Sequence, residues 1–175
     1  MSSVTREAPS FTLPGVDGRD HSLEDYADAS VLVLVQSCNS CPYVQAWEGR
    51  LKAIQEDYAG REVRVVAICS NDVENYPEDS FEKMQRRAEQ EGFNFDYLHD
   101  EDQGVARTLG SERTPEVFVF DGDRRLVYHG AIDDNRDESA VTTHYLRDAL
   151  DAVLEGGEPP VSETPPVGCG VKWRQ

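Results

Sequence analysis

Cys38 and Cys41, with only Asn39 and Ser40 between them, are the pair in this sequence most able to do chemistry. Two thiols at this spacing can close a disulfide. They lie between two patterned segments. Before them runs VLVLVQ, residues 31–36, strand-sized and nearly all apolar. After them Val44, Trp47, Leu51, Ile54 and Tyr58 recur with the helical period. The spacing therefore predicts a strand, a thiol-bearing loop and an amphipathic helix whose first turn accommodates Pro42. Open α/β sheets place ligands at the carboxyl ends of their central strands. This reading puts Cys38 at the helix N-terminus, where unpaired N–H groups and the helix dipole favour an anion. A thiolate is the nucleophilic form of cysteine. The competing chemistry is half of a zinc site, which needs two further ligands at matching spacing. Cys69, Cys169 and the histidines at 21, 99, 129 and 144 are scattered singly. A redox dithiol is expected, with no metal and no bound organic cofactor.

Other residues are weighed against plainer roles. Thr114-Pro115 precedes the strand EVFVF, residues 116–120. It is either a trans boundary or a cis turn beside a ligand, and residues alone leave both open. Cys69 ends the strand VRVVAI and is expected as a core thiol on the same sheet edge as Cys38. Cys169, between Gly168 and Gly170, is either an inert tail thiol or an auxiliary redox cysteine near Cys69 or the Cys38–Cys41 pair. Trp173 is expected to anchor that tail. Arg113 reads as a surface residue, Asp133-Asp134-Asn135 as a solvated turn and Trp47 as core. His129 and His144 read as surface or satisfied-core residues.

The elements that must hold these groups follow in order. A hairpin over 11–23 turns at Pro14-Gly15 and Asp17-Gly18. Then come strand 31–36, helix 44–58, strand 63–68, a helix opened by Pro77, strand 93–98, helix 103–109, hairpin strands 116–120 and 126–129, and helix 141–154. Strands alternating with helices imply a parallel sheet with right-handed crossovers, and the last two strands add an antiparallel edge. Residues 1–157 are expected as one α/β domain and 158–175 as an irregular C-terminal tail with four prolines.

Composition bounds the partners. The chain has 175 residues, 38% of them apolar, enough for one well-packed domain. No apolar run reaches the length of a membrane span, and the first residues lack a secretory-signal pattern. A cytoplasmic location is expected. Seventeen basic against thirty-four acidic residues give a net charge of −17, which makes nucleic acid and anionic membranes poor partners. Only three of the basic residues are lysines. Such a surface suits a halophilic, high-salt environment, where the screening length falls to about 3 Å at 1 M. The expected result is a melting midpoint that rises between about 0.1 and 3 M KCl as carboxylate repulsion is screened. A flat or falling midpoint would mark an ordinary acidic protein.

The combination of strand, CxxCP, helix, Thr-Pro and hairpin resembles the thioredoxin fold. More narrowly, CNSCPYV, YPEDSFEKM, TPEVFVFD, YHGAIDDN and the closing GCGVKW resemble thioredoxin-like redoxins of the AhpC/TSA and TlpA-like branch, over residues 5–174. The resemblance implies that Cys38 attacks and Cys41 resolves. It also implies a cis Pro115, with Thr114 forming the wall on which an extended disulfide substrate docks by strand addition. In that family the loop usually carries His where this sequence has Ser40, and losing a His⁺ should raise the Cys38 pKa and make the couple more reducing. Counted back from Cys38, the peroxiredoxin pattern Pro-x-x-x-Thr-x-x-Cys has Val31 and Val35 at its Pro and Thr positions. Thiol–disulfide exchange with protein or small-molecule disulfides, recharged by a partner reductase, is therefore expected ahead of peroxidase activity. The remaining alternative is a non-catalytic binding module.

Overall fold

The structure, a computed structural model, describes residues 4–174. Strand β1 (Thr12–Pro14) pairs antiparallel with β2 (Asp20–Ser22), forming the expected N-terminal hairpin. The central sheet begins with β3 (Val31–Ser37), followed by helix α1 (Pro42–Tyr58) and β4 (Val63–Cys69). Helix α2 (Phe81–Glu91), β5 (Asp96–His99) and α3 (Gly104–Leu109) come next. A short β6 (Arg113–Thr114) leads into β7 (Glu116–Phe120) and β8 (Leu126–Gly130). Helix α4 (Tyr145–Leu154) and a two-residue β9 (Cys169–Gly170) complete the chain. The five-stranded sheet has the order β5-β4-β3-β7-β8, with β7 and β8 antiparallel to their neighbours. This is the mixed α/β arrangement of the thioredoxin fold.

The apolar run of β3 is explained by burial on both sheet faces. Val31, Val33 and Val35 pack with Trp47, Leu51 and Ile54 of α1 and with Leu146 and Leu150 of α4. Leu32 and Leu34 face the other way, against Phe11, Tyr26, Val105, Leu109 and Phe118. Successive strand side chains point to opposite faces, so a strand between two layers must be apolar throughout. Each such buried side chain contributes about 1.5–3 kcal/mol. Among the described residues no helix is long and apolar enough to cross a membrane.

Several boundaries differ from expectation for local reasons. Pro77–Asp79 forms a separate 3-10 turn, and α2 starts only after Ser80, whose hydroxyl accepts the Lys83 amide at 3.3 Å. Asp79 is thereby free to serve another site. Helix α4 starts at Tyr145, later than the periodicity suggests. Asp134 takes the Thr142 amide at 2.9 Å and donates its own amide to the Thr143 carbonyl, holding that segment out of the helix.

The turn 133–135 is solvated at Asp134 and Asn135 but not at its first residue. Asp133 is buried and accepts Trp47 Nε1–H at 2.9 Å and Arg50 Nη1–H at 2.8 Å. Arg50 also donates to the Asn135 and Arg136 carbonyls. A charge expected in water is instead paired inside, because α1 presents an arginine beside its core stripe. Trp47 is core as expected, but its indole N–H also ties α1 to this loop.

Candidate active site

Parallel pairing sets Ser37 opposite Cys69, so β3 and β4 finish together and the thiol loop leaves from that end. Asn39 fixes the loop. Its amide donates to Asp79 at 2.7 Å, its side-chain NH2 to the Glu78 carbonyl, and its side-chain oxygen accepts the Tyr97 hydroxyl at 2.7 Å. Asp79, buried and also bonded to Asn71, was not foreseen as part of the site. Its only sequence signal was its place in YPEDSFEKM. Ser40, by contrast, is exposed.

The helix begins later than the sequence suggests. Pro42 is its first residue and Cys41, with extended backbone, is its N-cap. The anion-favouring position therefore belongs to Cys41, a correction to the placement of Cys38 there. Cys38 sits one turn of loop earlier and is 2% exposed, against 5% for Cys41.

Thr114 gathers the sulfurs. Its hydroxyl accepts from the Cys38 thiol at 3.6 Å, and its carbonyl from the Cys41 thiol at 3.5 Å. The Thr114-Pro115 bond is cis, and both residues are buried. Glu116, just beyond, accepts the Glu112 and Arg113 amides, each at 2.8 Å, and bonds to buried His129. It thus fixes the segment leading into the cis bond. This role has no signature in the sequence beyond an acidic residue inside a buried strand. His129 is the satisfied core residue expected, and His144 is exposed.

The electrostatics of the pair follow from these positions. Cys41 is held well below the ordinary thiol range. The Cys38 thiol donating to its sulfur is the largest cause; the Cys169 thiol and the Val44 amide add to it and outweigh burial. Cys38 is driven up by holding that shared proton, by burial and by the Asp79 carboxylate. Its protonation therefore has causes other than a missing histidine. When Cys41 ionises, its bond to the Thr114 carbonyl is exchanged for these donors. Cys69 is fully buried, and burial pushes its thiol up to about 12. It stands as the core thiol expected.

The tail returns to this site. Cys169 pairs with Thr114 in an antiparallel β6–β9 ladder, and its carbonyl accepts the Thr114 hydroxyl at 3.5 Å. The Cys169 thiol interacts with that of Cys41. Of the neighbours expected for Cys169, the Cys38–Cys41 pair is the one it meets, while Cys69 contacts the Asp79 carbonyl. Val171 is the buried anchor of the tail, whereas Trp173 is exposed, with Arg107 over its ring. Arg113 is exposed.

Among the described residues, Asp17, His21 and Asp96 lie close enough to share a cation. His21 is already 2.9 Å from Asp17, and Asp96 receives the Tyr26 hydroxyl at 2.8 Å and Arg64 at 3.1 Å. These contacts account for the trio, and no metal is assigned to it.

Known proteins place this geometry. An uncharacterised conserved protein from Geobacillus kaustophilus is 41% identical, with a TM-score of 0.92 over 99% of this chain and 94% of that one. A hypothetical protein from Sinorhizobium meliloti 1021 is 37% identical, with a TM-score of 0.92 over 98% of this chain and 95% of that one. Peroxiredoxin Bcp of Escherichia coli K12 is 28% identical over 144 residues, 79% of this chain and 87% of that protein. The AhpC/TSA family profile matches residues 4–129, a span that holds the central sheet up to the last residue of β8, both loop cysteines and the cis-proline. A redoxin-type sheet with a thiol at the head of its first long helix thus agrees with the sequence match, and the chain belongs to the AhpC/TSA family.

Proposed function

We propose that this redoxin is a thiol–disulfide oxidoreductase, acting on protein or small-molecule disulfides through Cys38 and Cys41 and recharged by a partner reductase. The observation that carries this reading is a second thiol within reach of a helix-capping thiol, both against Thr114, one at its hydroxyl and one at its carbonyl. This reading gives the attack to Cys41 in place of Cys38, because Cys41 caps α1, where unpaired N–H groups favour an anion. The Cys41 thiolate attacks a substrate disulfide, whose leaving thiolate takes up a proton. In the mixed disulfide Cys41 is no longer an anion, so the main cause holding the Cys38 proton is gone. Cys38 then ionises, attacks the Cys41 sulfur and displaces the second substrate thiolate. Two electrons pass to substrate, with one proton from Cys38 and one from solvent, and a Cys38–Cys41 disulfide remains.

Similarity to a peroxiredoxin supports a second reading, hydroperoxide reduction. Counted from Cys41, the Pro and Thr positions of the peroxiredoxin pattern hold Leu34 and Cys38. The hydroxyl that would orient a peroxide is thus a thiol, which favours exchange. The test is a side-by-side assay of insulin-disulfide reduction and hydroperoxide consumption with dithiothreitol as reductant. Faster insulin reduction is expected. Hydroperoxide turnover without insulin reduction would replace this reading by the peroxidase one.

A further inference from the structure

The strand edge on which a substrate segment would dock is already covered by the protein's own tail. Thr114 pairs with Cys169 and Arg113 with Gly170. The fit is close: a Cβ on Gly168 would lie 2.0 Å from the Thr114 carbonyl oxygen, so no larger residue can occupy that position with the tail in place. Beyond the ladder the tail is latched. The Val171 amide donates to the Glu112 carbonyl at 3.1 Å, and the Lys172 amide to Asn71 at 2.9 Å. The Lys172 carbonyl accepts from the Asp72 amide and from Gln103 Nε2, and the Arg174 amide donates to Gln103. The sulfurs of Cys38 and Cys41 and the backbone of Cys169 therefore converge on one residue, Thr114, and the Cys41 thiol interacts with those of both Cys38 and Cys169.

We propose that Cys169 is a third redox-active cysteine, which takes over the disulfide from the buried pair by bonding to Cys41 and releasing Cys38. The step is an isomerisation. The Cys169 thiol gives up its proton and its sulfur attacks Cys41 Sγ. The Cys38–Cys41 bond breaks, a Cys41–Cys169 bond forms, and Cys38 leaves as a thiolate that takes up the proton. No electrons enter or leave. In the reduced protein, burial and then the Cys41 anion keep Cys169 protonated. Oxidation of the pair removes that anion, while Lys172 continues to favour the Cys169 thiolate.

Exposure explains what the step achieves. Cys38 and Cys41 are 2% and 5% exposed, so a bond between them lies deeper, and offers less access to a reductase thiolate, than one that includes Cys169. Cys169 is only partly buried. Moving the disulfide onto it brings one sulfur to the surface, where a thiolate of the reductase can attack along the S–S axis. The tail is thus both the occupant of the docking edge and the outlet for the oxidising equivalent. The outlet role rests on the exchange reading, but the Cys41–Cys169 bond does not.

The test uses the full-length protein, oxidised with one equivalent of diamide, quenched in acid, alkylated and digested with trypsin. Cys38 and Cys41 share peptide 20–50 and Cys169 lies in peptide 148–172. The expected product joins these two peptides and carries the alkyl label on Cys38. Cys38→Ala should give the same link, and Cys41→Ser should give none. Gly168→Ala keeps all three thiols but pushes the strand off Thr114, and should lower the yield of the link about tenfold by reducing the local thiol concentration. A wild-type protein that forms Cys38–Cys41 while Cys169 is labelled completely overturns the proposal, as does a link indifferent to Gly168→Ala. If the link forms but insulin is not reduced, the exchange reading falls and Cys169 remains redox-active. Insulin reduction without the link removes the proposal alone.

Discussion

Replacing Cys41 with serine is expected to lower disulfide exchange at least about a thousandfold, the scale on which loss of a nucleophile acts. Replacing Cys38 with alanine should instead leave an attacking thiolate without its resolving partner. That variant captures substrate as a mixed disulfide on Cys41, and capture should last only when Cys169 is also changed to serine, since Cys169 otherwise displaces the substrate. The pH dependence follows from the direction of the shifts. A thiol held well below its ordinary range is fully ionised at neutral pH, so Cys41 alkylation by iodoacetamide should change little between about pH 7 and 9. Cys38, driven upward, should label slowly throughout. The Cys38 thiol is the largest cause of the Cys41 shift, so Cys38→Ala should move the Cys41 labelling midpoint to higher pH. Fragment-ion mass spectrometry of the alkylated peptide 20–50, which separates the label on Cys38 from that on Cys41, measures all of this. Lasting capture by Cys41→Ser would restore Cys38 as the attacking residue.

Replacing Asp133 with alanine is expected to destabilise the protein by about 3–5 kcal/mol, the usual effect of stranding one member of a buried ion pair. Arg50 keeps only 8% side-chain exposure and would lose the carboxylate it pairs with. Trp47 would lose the acceptor of its indole N–H. Carbonyls at 135 and 136 would still accept from Arg50, but they carry no full charge. Urea denaturation followed by Trp fluorescence gives the number. Pairing the change with Arg50→Met should recover much of the loss, because two apolar side chains need no partner in the interior. A loss under about 1 kcal/mol would show that water reaches Arg50 readily. Because α1 carries Arg50 and is capped by Cys41, the double variant also tests whether the anchor matters for the thiol itself, through its alkylation rate.

The elements with the strongest periodicity were legible in the sequence. VLVLVQ became the central strand because nothing but a doubly covered position tolerates five apolar residues in a row. The stripe from Val44 to Tyr58 became α1 because its period matches a helix buried on one side. Asp133 was misread because a run of two acids and an asparagine is usually solvated, and its partner Arg50 lies 83 positions away. The tail was misread in part for the same reason. Its prolines and glycines carry no periodicity, and only the folded Thr114 edge gives Cys169 a strand to pair with.

For the site, the sequence by itself determined the dithiol, the Thr-Pro junction and their place at the end of a buried strand. Spacing fixes which groups can meet through a few bonds, and burial pattern fixes which strand carries them. Tertiary structure decided which sulfur stands in the anion-favouring position. That depends on where the first helical turn closes, here at Pro42 rather than beside Cys38, and on donors from Cys169 and Val44 that converge only after folding. It also decided that Asp79 stands near Cys38 and that the tail lies across Thr114. Charge and hydrogen-bond effects act over a few ångströms of space, whatever the distance along the chain, so no reading of neighbours in sequence could supply them.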